Sequence, residues 1–482
     1  MTRPSRRQAT AKPIPIMALA VVALSALALI ISPRPPSLGD ESTGDRALAA
    51  QVRQAAGGGP FRGLSVALIE RGTVRTAGVG VTGGPGSHPV DAATPYEIGS
   101  ITKTMTGMLL ADSKLPPDTP IRTLLPKVAF DDRALADATL AEYASHRAGL
   151  PRVPLSPRML VMSYLSNIIG LDPYAGVGPG VVLGDLAGSR ASEQGKVSYS
   201  NIGMASLGLA LADHAGLPYG RLLRERILGP LGMTATAALG QDQALPAGRA
   251  YGSKANGMAM DPWRGDGYNP AGVGVWSTAA DLAKLVKGVM DGTAPGADAA
   301  TPRFQGEGKE RIGYAWYTTV FGDRTVTWHN GGTGGFRGFV GFDRQAGRGV
   351  VVLGNTDGDL DPVGLRLLNA DPADRTDSPP WLMLVITLIL TFSPGLEAWF
   401  GTPPHELTRA VRKVLWGAFS LLLAWVVGPW AILPPVLWAL GAGLLLGCAA
   451  IRWSRAPYAP SGVRTWVGLA IPAVIIGACL IL

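Results

Sequence analysis

Cysteine is nearly absent from this chain: its 482 residues include two, Cys448 and Cys479, and both lie inside apolar runs near the C-terminus. The polar middle therefore has no thiol to pair, oxidise or use as a nucleophile, which excludes a disulfide framework and cysteine chemistry there. Histidine is scarce as well. His88, His146, His214, His329 and His405 are scattered without metal-ligand spacing, there is no HExxH, and neither a metal site nor a cofactor is expected. Charged residues make up only 16% of the chain against 47% hydrophobic, too few for a disordered or nucleic-acid-coating protein, while the apolar share suffices for a large core. Much of the basic excess behind the net charge of +8 sits in short segments beside apolar runs, where membrane topology accounts for it. Nucleic acid is not an expected partner.

The chain opens on "MTRPSRRQATAK" and then "PIPIMALAVVALSALALIIS", a basic flank before an apolar stretch of spanning length. Residues 1–34 read as a signal peptide or an uncleaved anchor. Ala26 and Ala28 offer an A-x-A site, but the run continues to Ile31, which favours the anchor. Either way Arg3, Arg6, Arg7 and Lys12 stay in the cytoplasm and the chain beyond the apolar stretch is exported. A Pro- and Gly-rich linker, 35–46, leads into a mixed α/β (α+β) domain over 47–370. "GLSVALIERGTVRTAGVGV" reads as two strands around a turn, and strand-like runs return in "RIGYAWYTTVFGDRTVTWHNGGTGGFRGFVGFDRQAGRGVVVLGN". Between them lie helical patterns such as "TMTGMLLADS", "ASLGLALADHAG" and "STAADLAKLVKGVM". Strands at both ends with helices between predict one antiparallel sheet completed by both termini of the domain, with a helical lobe inserted.

After a second linker, 371–380, residues 381–482 read as a membrane domain of about four transmembrane helices, near 381–400, 413–432, 434–451 and 464–482. Pro394, Gly395 and Glu397 interrupt the first. Keeping it sends every basic loop, with Arg409, Arg412, Lys413, Arg452, Arg455 and Arg464, to the cytoplasm. The expected location is a multi-pass cell-membrane protein whose middle domain is extracytoplasmic and whose spans contact membrane lipid. The spans hold almost no ionisable side chains, which argues for an anchor or partner-binding bundle and against a channel.

Three segments carry chemistry. "GSITKT" places Ser100 and Lys103 on one face of a helix start, where the amine can sit beside the hydroxyl and the helix N-terminus favours developing negative charge. "SYSNIG" supplies Tyr199 and Asn201; a phenol near a lysine can shuttle a proton. "TWHNGGTGGFRGFVGF" is a strand-like run interrupted by glycines, the mark of a bulge or of a ligand approaching the backbone, whose amides could complete an oxyanion hole with that of Ser100. A phosphate loop is the rival for these glycines, but no Lys-Ser/Thr follows them.

In this order the three segments resemble the serine β-lactamase and penicillin-binding-protein superfamily, in the branch of class C β-lactamases and DD-peptidases, whose signature is S-x-x-K, Y-x-N and K/H-x-G. It falls on Ser100-Lys103, Tyr199-Asn201 and His329-Asn330-Gly331. Blocks such as "TPYEIGSITKTMTGMLLAD", "ASHRAGLPRVP" and "AGVGVWSTAADLAKLV" look like family blocks, and the likeness covers about residues 50 to 360. The resemblance implies a β-lactamase/transpeptidase-like fold. It implies Ser100 as acylated nucleophile, Lys103 and Tyr199 as base and acid, and Asn201 bonded to Lys103 and to a substrate amide. It also implies His329 orienting Tyr199 and helping to bind an anionic group, with Gly331 and Gly332 lining the substrate site and the Ser100 and Gly332 amides forming the oxyanion hole. His146 reads as structural. Histidine in the third motif departs from the lysine of class C β-lactamases and is similar to DD-peptidases, D-amino-acid-specific peptidases and esterases. An exported domain with C-terminal spans is similar to prodrug-activating peptidases of the colibactin-maturation type, which implies a transporter partner through the membrane domain. The expected substrate is a small molecule or peptide with an amide, ester or lactam carbonyl. Three readings stay open: a membrane-anchored Ser-Lys-Tyr peptidase acting beside a D-residue, an esterase or β-lactamase on the same machinery, and a silent β-lactam or peptidoglycan sensor.

Overall fold

The computed structural model describes residues 14–154, 156–372, 381–401, 404 and 407–453. They fall into two compact units, residues 35–377, and residues 1–34 with 378–482.

Among its described residues the middle unit holds twelve strands: β1 (Ser42–Gly44), β2 (Gly63–Glu70), β3 (Thr73–Gly80), β4 (Tyr96–Glu97), β5 (Ala237–Ala238), β6 (Val275–Ser277), β7 (Phe304–Gln305), β8 (Arg311–Ile312), β9 (Tyr317–Phe321), β10 (Arg324–Gly332), β11 (Arg337–Asp343) and β12 (Arg348–Gly354). Nine of them form one sheet in the order β1-β3-β2-β12-β11-β10-β9-β8-β7, antiparallel throughout. A small second sheet joins β4, β6 and β5. The closing contact is β2 against β12, from Leu64↔Gly354 to Glu70↔Arg348, so the two ends of the domain complete one sheet as their patterns predict.

Both faces of this sheet are covered, which is why β2 reads as an almost unbroken apolar run. Successive side chains alternate between the faces. Leu64, Val66 and Leu68 enter a core with the helices Arg46–Ala56 and Asp361–Leu367, whereas Ala67 and Ile69 enter the core that holds the helices Thr102–Asp112 and Ala279–Asp291. The helical lobe centres on Asn201–Ala215, which starts at Ser200, whose Oγ accepts from Gly203 N at 3.0 Å, and stops at Gly216 with φ of 65°. One boundary moves. Residues 42–44, expected in the linker, form edge strand β1 on β3, and Asp45 caps the next helix by accepting from Leu48 N at 2.9 Å. A three-residue strand beside glycine is too short to leave a period in the sequence.

In the other unit the described helices are Ile14–Ala28, Trp381–Phe400, Leu407–Val427 and Val436–Arg452. Two of them, Trp381–Phe400 and Leu407–Val427, are long and apolar enough to cross a membrane. The first runs unbroken through Pro394, which cannot bond the carbonyl of Leu390; the Ser420 hydroxyl of the next helix donates to that oxygen at 2.9 Å instead. The second starts earlier than the expected 413, and the expected span at 464–482 lies outside the described residues. Gly443 and Gly447, one turn apart, let Val436–Arg452 lie directly on the backbone of Val21 and Ser25 in the N-terminal helix.

A β-carbon at Gly331 would overlap the carbonyl oxygen of Ile98, so Gly331→Val should lower stability by about 1–3 kcal/mol. Thermal unfolding followed by circular dichroism reads this directly, and an unchanged midpoint would contradict the close approach of β10 to the Ile98–Ser100 turn.

Candidate active site

Ser100 sits in the short turn Gly99–Ile101 that feeds the helix Thr102–Asp112. Gly99 takes φ of 51°, and a β-carbon there would meet the Gly332 nitrogen at 2.7 Å. Glycine is therefore required on two counts, the left-handed backbone and the contact between the turn and the end of β10. One helical turn on, Lys103 is completely buried. Its Nζ donates to Ser100 Oγ at 2.7 Å and to the carbonyl of Ala271 at 2.7 Å. Thr106, a turn further along, donates to Pro270 O at 2.8 Å, so the same helix face fixes the 266–271 segment that supplies the Ala271 carbonyl. Burial, with Arg152 nearby, holds the Lys103 amine well below the usual lysine range.

Tyr199 reaches the same hydroxyl from the helical lobe, its Oη donating to Ser100 Oγ at 2.6 Å. It immediately precedes the Ser200 cap, and that cap is tied down from outside: Ser200 Oγ donates to Pro151 O at 2.8 Å and Ser200 N donates to His146 Nδ1 at 3.2 Å. His146 also accepts Ser198 N on its carbonyl and lays its ring 4.6 Å from that of Tyr199. It thus positions Tyr199 without reaching Ser100, in keeping with a structural reading. Desolvation pushes the Tyr199 phenol up to about 12, against the opposing pull of its bond to Ser100 and of Arg152.

The third motif is arranged differently from expectation. His329 is fully buried, its Nδ1 bonds the Asn330 carbonyl, and its ring centre is 6.3 Å from that of Tyr199. Burial and the Lys103 charge push its pKa down to about 3. The imidazole therefore rests neutral beside Tyr199, and any contact it makes with an anionic group would come from a ring N–H and not from a full positive charge. Gly331 is likewise packed under Ile98 and Ile101. Gly332 differs. Thr333 N bonds Phe336 O, so alternation along the hairpin turns the Gly332 amide away from β11, toward the edge that β9 leaves open beyond Trp328. Asn201 donates its backbone N–H to Arg152 O at 2.9 Å and lines the cleft with Ser100 and Tyr174, while the bonds of Lys103 Nζ go to Ser100 and Ala271.

With Ser100, Lys103 and Tyr199 converging and an outward amide beside them, the family comparison becomes decisive. The Beta-lactamase family model matches residues 48–373. This chain belongs to the Beta-lactamase family. A Beta-lactamase-like protein of Arthroderma benhamiae is 24% identical over 43% of this chain and 37% of its own length. The Unguisins hydrolase ungD' of Aspergillus campestris is 25% identical over 65% of this chain and 62% of its own. The chain therefore spans less than two thirds of these curated relatives. The β-lactamase/D-alanine carboxypeptidase of Pseudomonas syringae shares the fold at a TM-score of 0.56, with 19% identity, over 67% of this chain and 99% of that one.

Several groups of this Beta-lactamase-family site carry no motif. Arg152 stands 4.9 Å over the Tyr199 ring, and Lys103 Nζ lies 5.0 Å from it, so the phenol is flanked by two basic groups. Tyr174 and Trp263 pack 5.1 Å apart on the opposite wall, where buried Glu97 accepts Trp263 N at 2.7 Å. The Ala271 carbonyl has no side-chain signature at all. Arg152 lies inside the family block "ASHRAGLPRVP", directly after Pro151, but nothing local says that it faces Tyr199.

His329 gives a pH signature. Its ordinary pKa of 6.5 falls to about 3 on folding, so between those values the unfolded chain binds more protons and stability drops as pH falls through the window. Above 6.5 the group contributes no pH dependence. His329→Gln should flatten part of the loss between pH 6.5 and 3 in chemical denaturation, and an identical profile would mean that the imidazole titrates normally.

Proposed function

We propose that this protein is a membrane-anchored extracytoplasmic serine hydrolase that cleaves amide bonds through a Ser100 acyl-enzyme, with the substrate a peptide or capped metabolite bearing a D-residue beside the scissile bond. The observation that carries this reading is the convergence of Lys103 Nζ and Tyr199 Oη on one hydroxyl, at 2.7 and 2.6 Å. Two groups of opposite protonation tendency on a single oxygen form the pairing that acyl transfer requires.

The direction of each shift supports one order of proton transfer. Burial favours the neutral amine at Lys103 and the protonated phenol at Tyr199. Lys103 then takes the Ser100 proton as Oγ bonds the carbonyl carbon, and the carbonyl electrons move onto oxygen. The amides of Ser100 and Gly332 donate to that oxyanion. Tyr199 gives its proton to the departing nitrogen as the C–N bond breaks, and the lysine proton returns to the phenolate through the bonds that meet at Ser100. Water then enters by the reverse sequence and releases the acid. Ester and lactam carbonyls suit the same steps.

The D-residue part rests on the likeness in fold to D-alanine carboxypeptidases and on the third-motif histidine. The anchor rests on the two helices of spanning length and on the glycine-lined packing of helix Ile14–Ala28 against Val436–Arg452, which suits a retained first segment. A transporter partner through this bundle is part of the same reading.

A fluorophosphonate probe should label the intact protein and should not label Ser100→Ala; labelling that survives the change would remove the nucleophile assignment. In the labelled wild type, Tyr199→Phe should lower turnover of an amide by about 10²–10⁴-fold, and near-normal hydrolysis would take the phenol out of the mechanism. Because Lys103 must be deprotonated, kcat/KM should rise with pH through its lowered pKa and level off above it; activity that develops only as pH approaches the ordinary lysine value of 10.5 would exclude it as base. For the topology, alkaline phosphatase fused after residue 372 should be active in an export-competent host, and activity of a cytoplasmic-only reporter at that position would overturn the extracytoplasmic placement.

A further inference from the structure

Charge also gathers round a cavity in the unit of four described helices. A space of about 270 Å³ opens between Trp381–Phe400 and Leu407–Val427, with Pro394, Glu397, Arg412, Lys413, Trp416 and Ser420 in its wall. Gly417 lets the two helices close at the level of Pro394, since a β-carbon there would stand 3.0 Å from the proline ring and 2.7 Å from Leu445. About one turn from that contact, long charged side chains replace glycine and proline: Glu397 on the first helix, Arg412 and Lys413 on the second. Lys413 Nζ pairs with Glu397 Oε1 at 2.8 Å. Arg412 is half-buried, and among the described residues nothing accepts from its guanidinium. Two cations against one carboxylate leave a positive charge uncompensated in the wall. Arg452, from the helix Val436–Arg452, adds a further cation at the same end, where it donates to the Ala398 carbonyl at 3.0 Å.

The neighbours of these charges decide which anion suits them. Leu396, Phe400 and Val411 are exposed, and so is Trp416 in the wall itself. Leu396 directly precedes Glu397 and Val411 directly precedes Arg412, so bare apolar surface flanks the charged wall on both helices. A water-soluble anion would meet the cation and gain nothing from those side chains, whereas an amphiphile satisfies both. A guanidinium offers a planar fork of N–H donors that matches two oxygens of a phosphate. Trp416, one turn on from Arg412, is the type of side chain that suits the boundary between headgroups and acyl chains. On the topology proposed above, this end of both helices faces the cytoplasm, where anionic lipids draw basic residues to the membrane surface.

We propose that Arg412, assisted by Lys413, holds the phosphate of an anionic phospholipid in this cavity, with the acyl chains lying along Leu396, Val411 and Trp416. The inference rests on the membrane-anchored reading and is independent of the chemistry at Ser100. Glu397 competes with the lipid for Lys413 and so limits the affinity. Native mass spectrometry of the detergent-solubilised full chain, titrated with dioleoyl phosphatidylglycerol or dioleoyl phosphatidylcholine, compares headgroups on identical acyl chains. Phosphatidylglycerol should bind about fivefold or more tightly, the worth of one uncompensated cation at a membrane surface. In Arg412→Met the ratio should fall close to one, in Arg412→Lys part of it should return, and in Glu397→Gln, which releases Lys413, it should rise. Thermal unfolding identifies a misfolded Arg412→Met, in which case Glu397→Gln decides by the same ratio. Equal affinities in the wild type, a ratio unchanged in a folded Arg412→Met, or a ratio that fails to rise in Glu397→Gln overturns the site. Inorganic phosphate that displaces phosphatidylglycerol at equal concentration marks a free-ion site and overturns the lipid assignment. Alkaline carbonate extraction of host membranes tests the anchor separately: a retained chain keeps the anchor whatever the lipid ratio, and a released chain removes the anchor and the lipid site with it.

Discussion

The whole site depends on one backbone contact: the turn that carries Ser100 is pressed against the end of β10 with no side chain between them. Gly99 and Gly331 make that approach sterically open, since a β-carbon on the former would stand 2.7 Å from the Gly332 nitrogen and one on the latter would overlap the Ile98 carbonyl. A methyl group at either position would separate the nucleophile from the outward amide. Two elements far apart in sequence are thus held at van der Waals distance by what their residues lack. The sheet itself enforces the contact, since β10 is pinned on both edges up to Trp328 and on one edge beyond it. The open half-edge is where a carbonyl can enter.

Around that contact, desolvation does more than any ion pair. Among the described residues Lys103 has no acidic partner; its ammonium is penalised by burial, and its two hydrogen bonds go to a hydroxyl and a carbonyl. The same dry environment keeps Tyr199 protonated and His329 neutral. In neutral water the lysine amine would be charged, whereas burial favours the uncharged form of all three groups around a single serine, the state from which a proton can be passed without first removing a counterion. Exposed pairs elsewhere, such as Arg133 with Asp137, are worth little by comparison.

Much of the fold was legible because its signals are local and repeated. β2 and β3 show as two runs around a turn, and β9 to β12 show as strands broken by turn residues, so the sheet completed from both ends followed from their positions. The helix Trp381–Phe400 coincides with the expected first span despite Pro394, since hydropathy over twenty residues outweighs one missing amide that Ser420 compensates. Strand β1 was not legible, being three residues whose pairing depends wholly on β3. In the site, Ser100, Lys103 and Tyr199 stood in motifs whose spacing carries the chemistry. Arg152 and the Ala271 carbonyl did not, because a lone arginine or a backbone oxygen has no pattern and gains its meaning only from what folds over it.

The sequence by itself determined the family and singled out Ser100, Lys103 and Tyr199 as the candidate nucleophile and its two partners, because a helical spacing of three and an ordered set of motifs are properties of the chain. Only the tertiary structure decided their protonation, since that depends on how completely water is excluded and not on which residues are adjacent. It also decided what His329 does. The residue type allowed a charged imidazole facing a substrate, and the packing made it neutral and buried.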